Sequence, residues 1–129
     1  MRVDEHLAAY QEHRDTIFKW ALEIQGLEKS QRTLGLNASR GIIELLAVFL
    51  HKNKLIDEGF QLNHRWFKSP KVAERLPDFK GKGKIIKELV ALENLCETLA
   101  YGTQKPLETT KEAIERFTAL EKDIKELPK

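Results

Sequence analysis

The 129-residue sequence predicts an all-α fold. The expected architecture is a four-helix up-and-down bundle with a long connection and a short extra helix between helices two and three. Three observations carry this. Apolar residues recur at steps of three and four in four separate stretches, which is the spacing of one face of a helix. No stretch shows the strict alternation of a half-buried strand. With 41% hydrophobic and 33% charged residues, the composition is that of a helix-rich globular chain long enough for one core and too short for two. A single domain over residues 1–129 follows.

Helix one is expected from about Asp4 to Ile24, with Val3, Leu7, Tyr10, Ile17, Ala21 and Ile24 on one stripe. Asp4 and Glu5 sit where the helix dipole favours negative charge, and Gly26 is placed to end or kink the helix. Asn37 and Ser39 are candidate caps for helix two, which runs to about Ile56 with Gly59 just beyond. From Ile42 to Leu50 only Glu44 is polar, so this helix should be surrounded by the others. Ser69-Pro70 reads as the capped start of a short helix over Lys71 to Leu76. Lys80-Gly-Lys-Gly-Lys84 reads as a flexible tract. Helix three carries Ile85, Leu89, Leu92, Cys96 and Leu99 and stops at Gly102. Helix four follows Pro106, with Ala113, Ile114, Phe117, Leu120, Ile124 and Leu127 inward and the pairs Glu112–Arg116 and Glu121–Lys125 supporting its outer face.

Charge is unevenly spread. Residues 60 to 87 hold eight cations against two acids, a balance of +6, whereas the rest of the chain holds 14 against 18, or −4. A connection this long is several times what packed helices need. Its basic excess points to an anionic partner. Within it, Asn63-His64-Arg65-Trp66-Phe67-Lys68 mixes aromatics with cations, a combination that stacks on unpaired bases and neutralises phosphate. The candidate anion- or nucleic-acid-binding residues are His64, Arg65, Trp66, Lys68, Lys71, Arg75, Lys80, Lys82 and Lys84. The competing account is that Trp66 and Phe67 pin the connection to the bundle.

A second constellation lies on helices one and two. Arg14 interrupts the apolar stripe and needs an acid or an anion nearby. Glu44 is the candidate partner, with Arg40, Glu44 and His51 on one polar strip of helix two; alternatively Arg40 and Glu44 pair locally and Arg14 reaches solvent. Arg14, Arg40, Glu44 and His51 converging in one cleft would suit general acid–base work on an anionic substrate.

Other classes find no support. No histidine follows a Glu by three positions, and no His-Glu-x-x-His or paired-cysteine pattern exists, so no metal or cofactor is expected and the histidines read as surface residues. P-loop and dinucleotide-binding glycine patterns are missing too. Cys96 lies on a core stripe and reads as a buried small hydrophobe. The apolar run from Gly41 to Leu50 is shorter than a bilayer requires, and the acidic start of the chain has no apolar signal-type run. A cytoplasmic protein without membrane attachment is the expectation.

In architecture, across nearly its whole length, the chain resembles the HEPN superfamily (higher eukaryotes and prokaryotes nucleotide-binding). The likeness rests on the four helices, the excursion between the second and third, the polar strip on a buried helix and the basic flank. The resemblance implies a homodimer and a role among ribonuclease toxins, RNA-processing domains and helical partners of nucleotidyltransferases. Nucleolytic members carry Arg, a polar residue, four to six further residues and His. Arg40 and His51 are too far apart for that, and no histidine follows Arg65 or Arg75, so the resemblance implies a divergent member without nuclease activity. The first expectation is therefore an RNA- or nucleotide-binding bundle. The alternatives are a subunit docking an acidic partner such as a nucleotidyltransferase, or an enzyme using the Arg/Glu/His cluster.

Overall fold

A computed structural model describes residues 1–128. Among these the chain is all-helical, with no strand. Four long helices form the bundle: α1 (Val3–Asp15), α2 (Gln31–Lys52), α3 (Lys82–Ala100) and α4 (Leu107–Lys125). Helix α2 is central and packs against all three others. Its apolar circumference explains this: Ile42, Ile43, Leu45, Leu46, Ala47, Val48 and Leu50 are all buried, and a helix apolar on every side is stable only with neighbours on every side. By length and composition α2 could cross a membrane, but 67% of its most apolar stretch is buried inside the bundle.

The helix boundaries depart from the sequence expectation in instructive ways. Helix α1 does not run on as a regular α-helix; it widens into a π-helical segment over Thr16–Gln25. Hydrogen bonds there reach back five residues, as Gly26 N–H to Ala21 O illustrates. The wider turn keeps Ile17 and Ala21 inward and brings Leu22 against the core, while Ile24, expected on the stripe, turns out to solvent. Gly26, at φ 89°, ends the segment.

Helix α2 starts at Gln31, well before Asn37 and Ser39, so neither is a cap. Both are interior residues. Asn37 bonds the Thr33 carbonyl and accepts from His13 Nδ1, and Ser39 is buried against α3. The helix ends at Lys52 rather than Ile56. Lys54 then adopts φ 58°, and Leu55 and Ile56 fold back onto the core.

The connection between α2 and α3 is ordered by two 3₁₀ helices, His64–Lys68 and Pro70–Arg75. Asn63 Oδ1 caps the first by accepting from Arg65 N, and Ser69 Oγ caps the second by accepting from Lys71 N. Phe67 is fully buried and anchors the whole excursion. The Lys/Gly tract is part of the fold: Gly81 at φ 88° precedes α3, and Lys82 Nζ donates to the Ala73 carbonyl (2.7 Å), the Leu76 carbonyl (2.8 Å) and Asp78 (3.0 Å). Helix α3 buries Ile85, Leu89, Leu92, Cys96 and Leu99, and α4 buries Ala113, Phe117, Leu120 and Ile124, all as their spacing predicts. On α4 the Glu112–Arg116 pair forms at 2.8 Å, but Glu121 turns inward to Arg14 and Tyr10 instead of pairing with Lys125.

Candidate functional site

The predicted residues do not share one place. Arg14, Arg40, Glu44 and His51 do not converge. Arg14 pairs with Glu121 of α4, and Glu44 accepts from His6 Nδ1 at 2.6 Å, so neither the expected Arg14–Glu44 contact nor the local Arg40–Glu44 pair forms. His51 stacks against His6. Arg40 points elsewhere, into a cleft between α2, α3 and the first 3₁₀ helix. A four-residue acid–base site therefore does not exist as the sequence suggested. Of the two histidines of α1, His6 is misjudged as a surface residue, because it is only 3% exposed.

The cleft is a half-open cavity of about 440 Å³. Helix α2 contributes Ser39 and Arg40, the 3₁₀ helix contributes His64, Arg65 and Lys68, and α3 contributes Glu93 and Glu97. Gly35 makes the cleft possible: a Cβ there would lie 2.5 Å from Ala100 N, so α2 and α3 approach as closely as their backbones allow. Tyr101 stands at the rim, 62% exposed.

Electrostatics within the cleft are graded with depth. Glu93 sits at the floor, 4% exposed, and its carboxylate accepts from Ser39 Oγ at 2.6 Å and from His64 Nδ1 at 3.3 Å. A buried carboxylate must be met in this way, since its desolvation is otherwise uncompensated. Donation from Nδ1 leaves His64 Nε2 as the remaining polar atom of the ring. Lys68 pairs with Glu97 at 3.0 Å. Arg40 and Arg65 differ: among the described residues neither side chain has a carboxylate or hydrogen-bond partner, and both line the cleft. Cys96 is also in the wall, but burial pushes its thiol up to about 11, so it stays protonated and unreactive.

The remaining basic residues lie apart. Lys82 is consumed by two carbonyls and Asp78, and Lys84 faces Asp123 and Glu88 at 3.6 and 3.9 Å. Lys71 and Lys80 are exposed outside the cleft. Trp66 is partly buried against the core, edge-on to Phe60, with the Arg75 guanidinium 4.8 Å over its ring. The guanidinium covers one of its faces, and the ring is partly packed against the core.

Sequence reasoning missed Glu93 and Tyr101. The signal for Glu93 was present: it lies four residues after Leu89 and three before Cys96, on the apolar stripe of α3, where an acid requires a partner. Tyr101 follows the helix end and carries no comparable signal. Comparison with known protein families, curated proteins and solved structures finds no match for this chain.

Proposed function

We propose that the cleft binds the phosphate groups of single-stranded RNA or of a nucleotide. The observation that supports this most directly is the pair of unpartnered guanidinium groups, Arg40 and Arg65, lining one cavity from two different elements. Guanidinium is the side chain best suited to phosphate because its planar fork donates two parallel hydrogen bonds. Exposed Tyr101 at the rim offers a face on which a base stacks. The reading fits a divergent, dimeric HEPN-type bundle without nuclease activity.

The test is anisotropy of a labelled single-stranded RNA across a salt series. Affinity should fall with salt, and Arg40→Ala and Arg65→Ala should each weaken binding and flatten the log–log salt slope by about 0.7, the share of one lost phosphate contact. Binding unchanged by both substitutions would move the ligand out of the cleft. Capture of an acidic protein, with no RNA bound, would support the docking alternative.

A second reading is enzymatic and rests on Glu93 holding His64 by Nδ1 beside Arg40. A carboxylate-oriented imidazole next to an unpaired guanidinium is suited to moving a proton at a phosphodiester. His64→Ala should then abolish turnover while leaving binding nearly intact. A wild-type protein that binds RNA and leaves it uncut would sink this second reading alone.

A further inference from the structure

A second cavity, of about 390 Å³, opens where α1, α2 and the end of α4 meet, and it shares no lining residue with the cleft. Buried Tyr10, Leu45, Val48 and Ile124 line it, together with half-buried Leu7, Phe49 and Leu127. These walls are braced from outside the cavity. Phe49 is held edge-on by Phe79, and Leu127 seats against Gly81, where a Cβ would come within 3.1 Å of it. The Tyr10 hydroxyl is already given to Glu121, so what Tyr10 offers the cavity is its ring.

The charged lining has one sign. Lys52 and Lys125 line the cavity and no acid does, and among the described residues neither lysine forms an ion pair. Lys125 Nζ lies 5.5 Å from the centre of the Tyr10 ring, over the apolar wall. Glu121, bonded to the Tyr10 hydroxyl, is met by Arg14. The large hydrophobics that stand exposed, Trp20, Ile24, Leu36 and Tyr101, all lie outside this cavity. Its apolar surface is therefore recessed rather than spread. That is the form of a small-molecule site, which takes about 300–1,000 Å³, and not of a protein interface, which presents a wide apolar patch.

We propose that this cavity binds a medium-chain carboxylic acid, with its hydrocarbon tail against Leu45, Val48 and Ile124 and its carboxylate at Lys52 and Lys125. An apolar tail gains by leaving water for these walls. A carboxylate is the headgroup that two lysines with no acid beside them select, since it accepts charge-assisted hydrogen bonds from both while a cationic headgroup is repelled.

Isothermal titration with decanoate, kept below the concentration at which it forms micelles, checks the site. One equivalent should bind at sub-millimolar concentration and raise Tm, and lengthening the chain from hexanoate to decanoate should tighten binding by up to about fourfold per methylene. Lys52→Gln and Lys125→Gln, both at exposed positions where folding is not at risk, should each weaken decanoate by about 2–5-fold and leave 1-octanol unchanged. Lys111→Gln, on the exposed face of α4, should change neither. Amide NMR shifts caused by decanoate should centre on Val48, Phe49 and Ile124. No binding of decanoate, equal affinity for decyltrimethylammonium, or full affinity in both lysine variants would each overturn the site. So would shifts centred on Arg40 and Arg65, which would move the carboxylate to the cleft, or a concentration-dependent dimer through this groove that excludes decanoate.

Discussion

Arg14 and Glu121, 107 positions apart in sequence, lock α1 to α4: Arg14 Nε donates to Glu121 Oε2 at 2.7 Å, and the Tyr10 hydroxyl donates to the same oxygen. The pair is unequal in exposure. The Arg14 side chain is 41% exposed and the Glu121 side chain 10%. Removing Arg14 therefore strands a carboxylate inside the protein, whereas removing the charge of Glu121 leaves an arginine that can reach water. We expect Arg14→Met to cost about 2–3 kcal/mol, below the full cost of breaking a buried pair because solvent is near, and Glu121→Gln about 1 kcal/mol, since its amide oxygen still accepts. Urea denaturation of both variants checks this, and the reverse order would show that Arg14 is the residue trapped.

The same triad sets a pH dependence. Burial pushes the Glu121 carboxyl up, but the hydrogen bonds from Arg14 and Tyr10 outweigh it and hold the pKa below the usual carboxylate value. As pH falls, the unfolded chain protonates first, so the contribution of Glu121 is complete above its unfolded pKa of about 4.3 and is lost as pH falls through the lower folded value. Tyr10 acts at the other end. Burial and then Glu121 raise its hydroxyl pKa, so its contribution is present below about pH 10 and declines above it. Urea midpoints measured against pH should fall on both flanks, and Glu121→Gln should shallow the acid flank; an acid flank identical to wild type would remove Glu121 as its source.

Gly35 is expected to tolerate no side chain. A Cβ there would meet Ala100 N at 2.5 Å and Cys96 O at 2.7 Å, and both are backbone atoms that cannot rotate away. Alanine is the better helix former by about 1 kcal/mol, yet overpacking of this kind costs about 1–3 kcal/mol. Gly35→Ala should therefore lower Tm despite its higher helix propensity, and should weaken RNA binding because α3 must move away from the cleft wall. A rise in Tm would mean that the two helices have room to part.

The four helices were legible because each buries a stripe, and a stripe is written in one segment at a fixed period. Ile85, Leu89, Leu92, Cys96 and Leu99 needed no knowledge of the rest of the chain. What was not legible is set between segments. Asn37 and Ser39 look like caps to anything that reads locally, because their short polar side chains favour helix ends; here their polar groups are met by His13 and Glu93 from other helices. Arg14 signalled that it needed an acid, but spacing on one helix cannot say which helix supplies it, and Glu121 does so in place of Glu44. For the same reason the cleft joins Arg40 from one predicted group with His64, Arg65 and Lys68 from the other. The basic count of residues 60–87 indicated charge of the right sign but not how much of it was free, since Lys82 is consumed by two carbonyls and Asp78 and exposed Lys84 faces Asp123 and Glu88.

Trp66 packs on the bundle, as the competing account of the connection expects, and Tyr101, to which the sequence assigns no role, supplies the exposed ring beside the cleft. Trp66 lies half-buried, held by Phe60 and capped by the Arg75 guanidinium, so Trp66→Ala should cost about 2 kcal/mol, less than the 3–5 kcal/mol of a fully buried Trp, while changing RNA affinity little once the folded fraction is corrected for. Tyr101 stands exposed at the mouth of the cleft. Tyr101→Ala should leave stability within about 0.5 kcal/mol and weaken RNA binding by about 1–3 kcal/mol, the usual loss of one base-stacking surface. Because no charge is removed, the salt dependence of its remaining binding should match wild type, unlike that of Arg40→Ala or Arg65→Ala. Parallel anisotropy and urea measurements on the two aromatic variants separate these outcomes, and loss of RNA binding in Trp66→Ala with none in Tyr101→Ala would return the stacking surface to the connection.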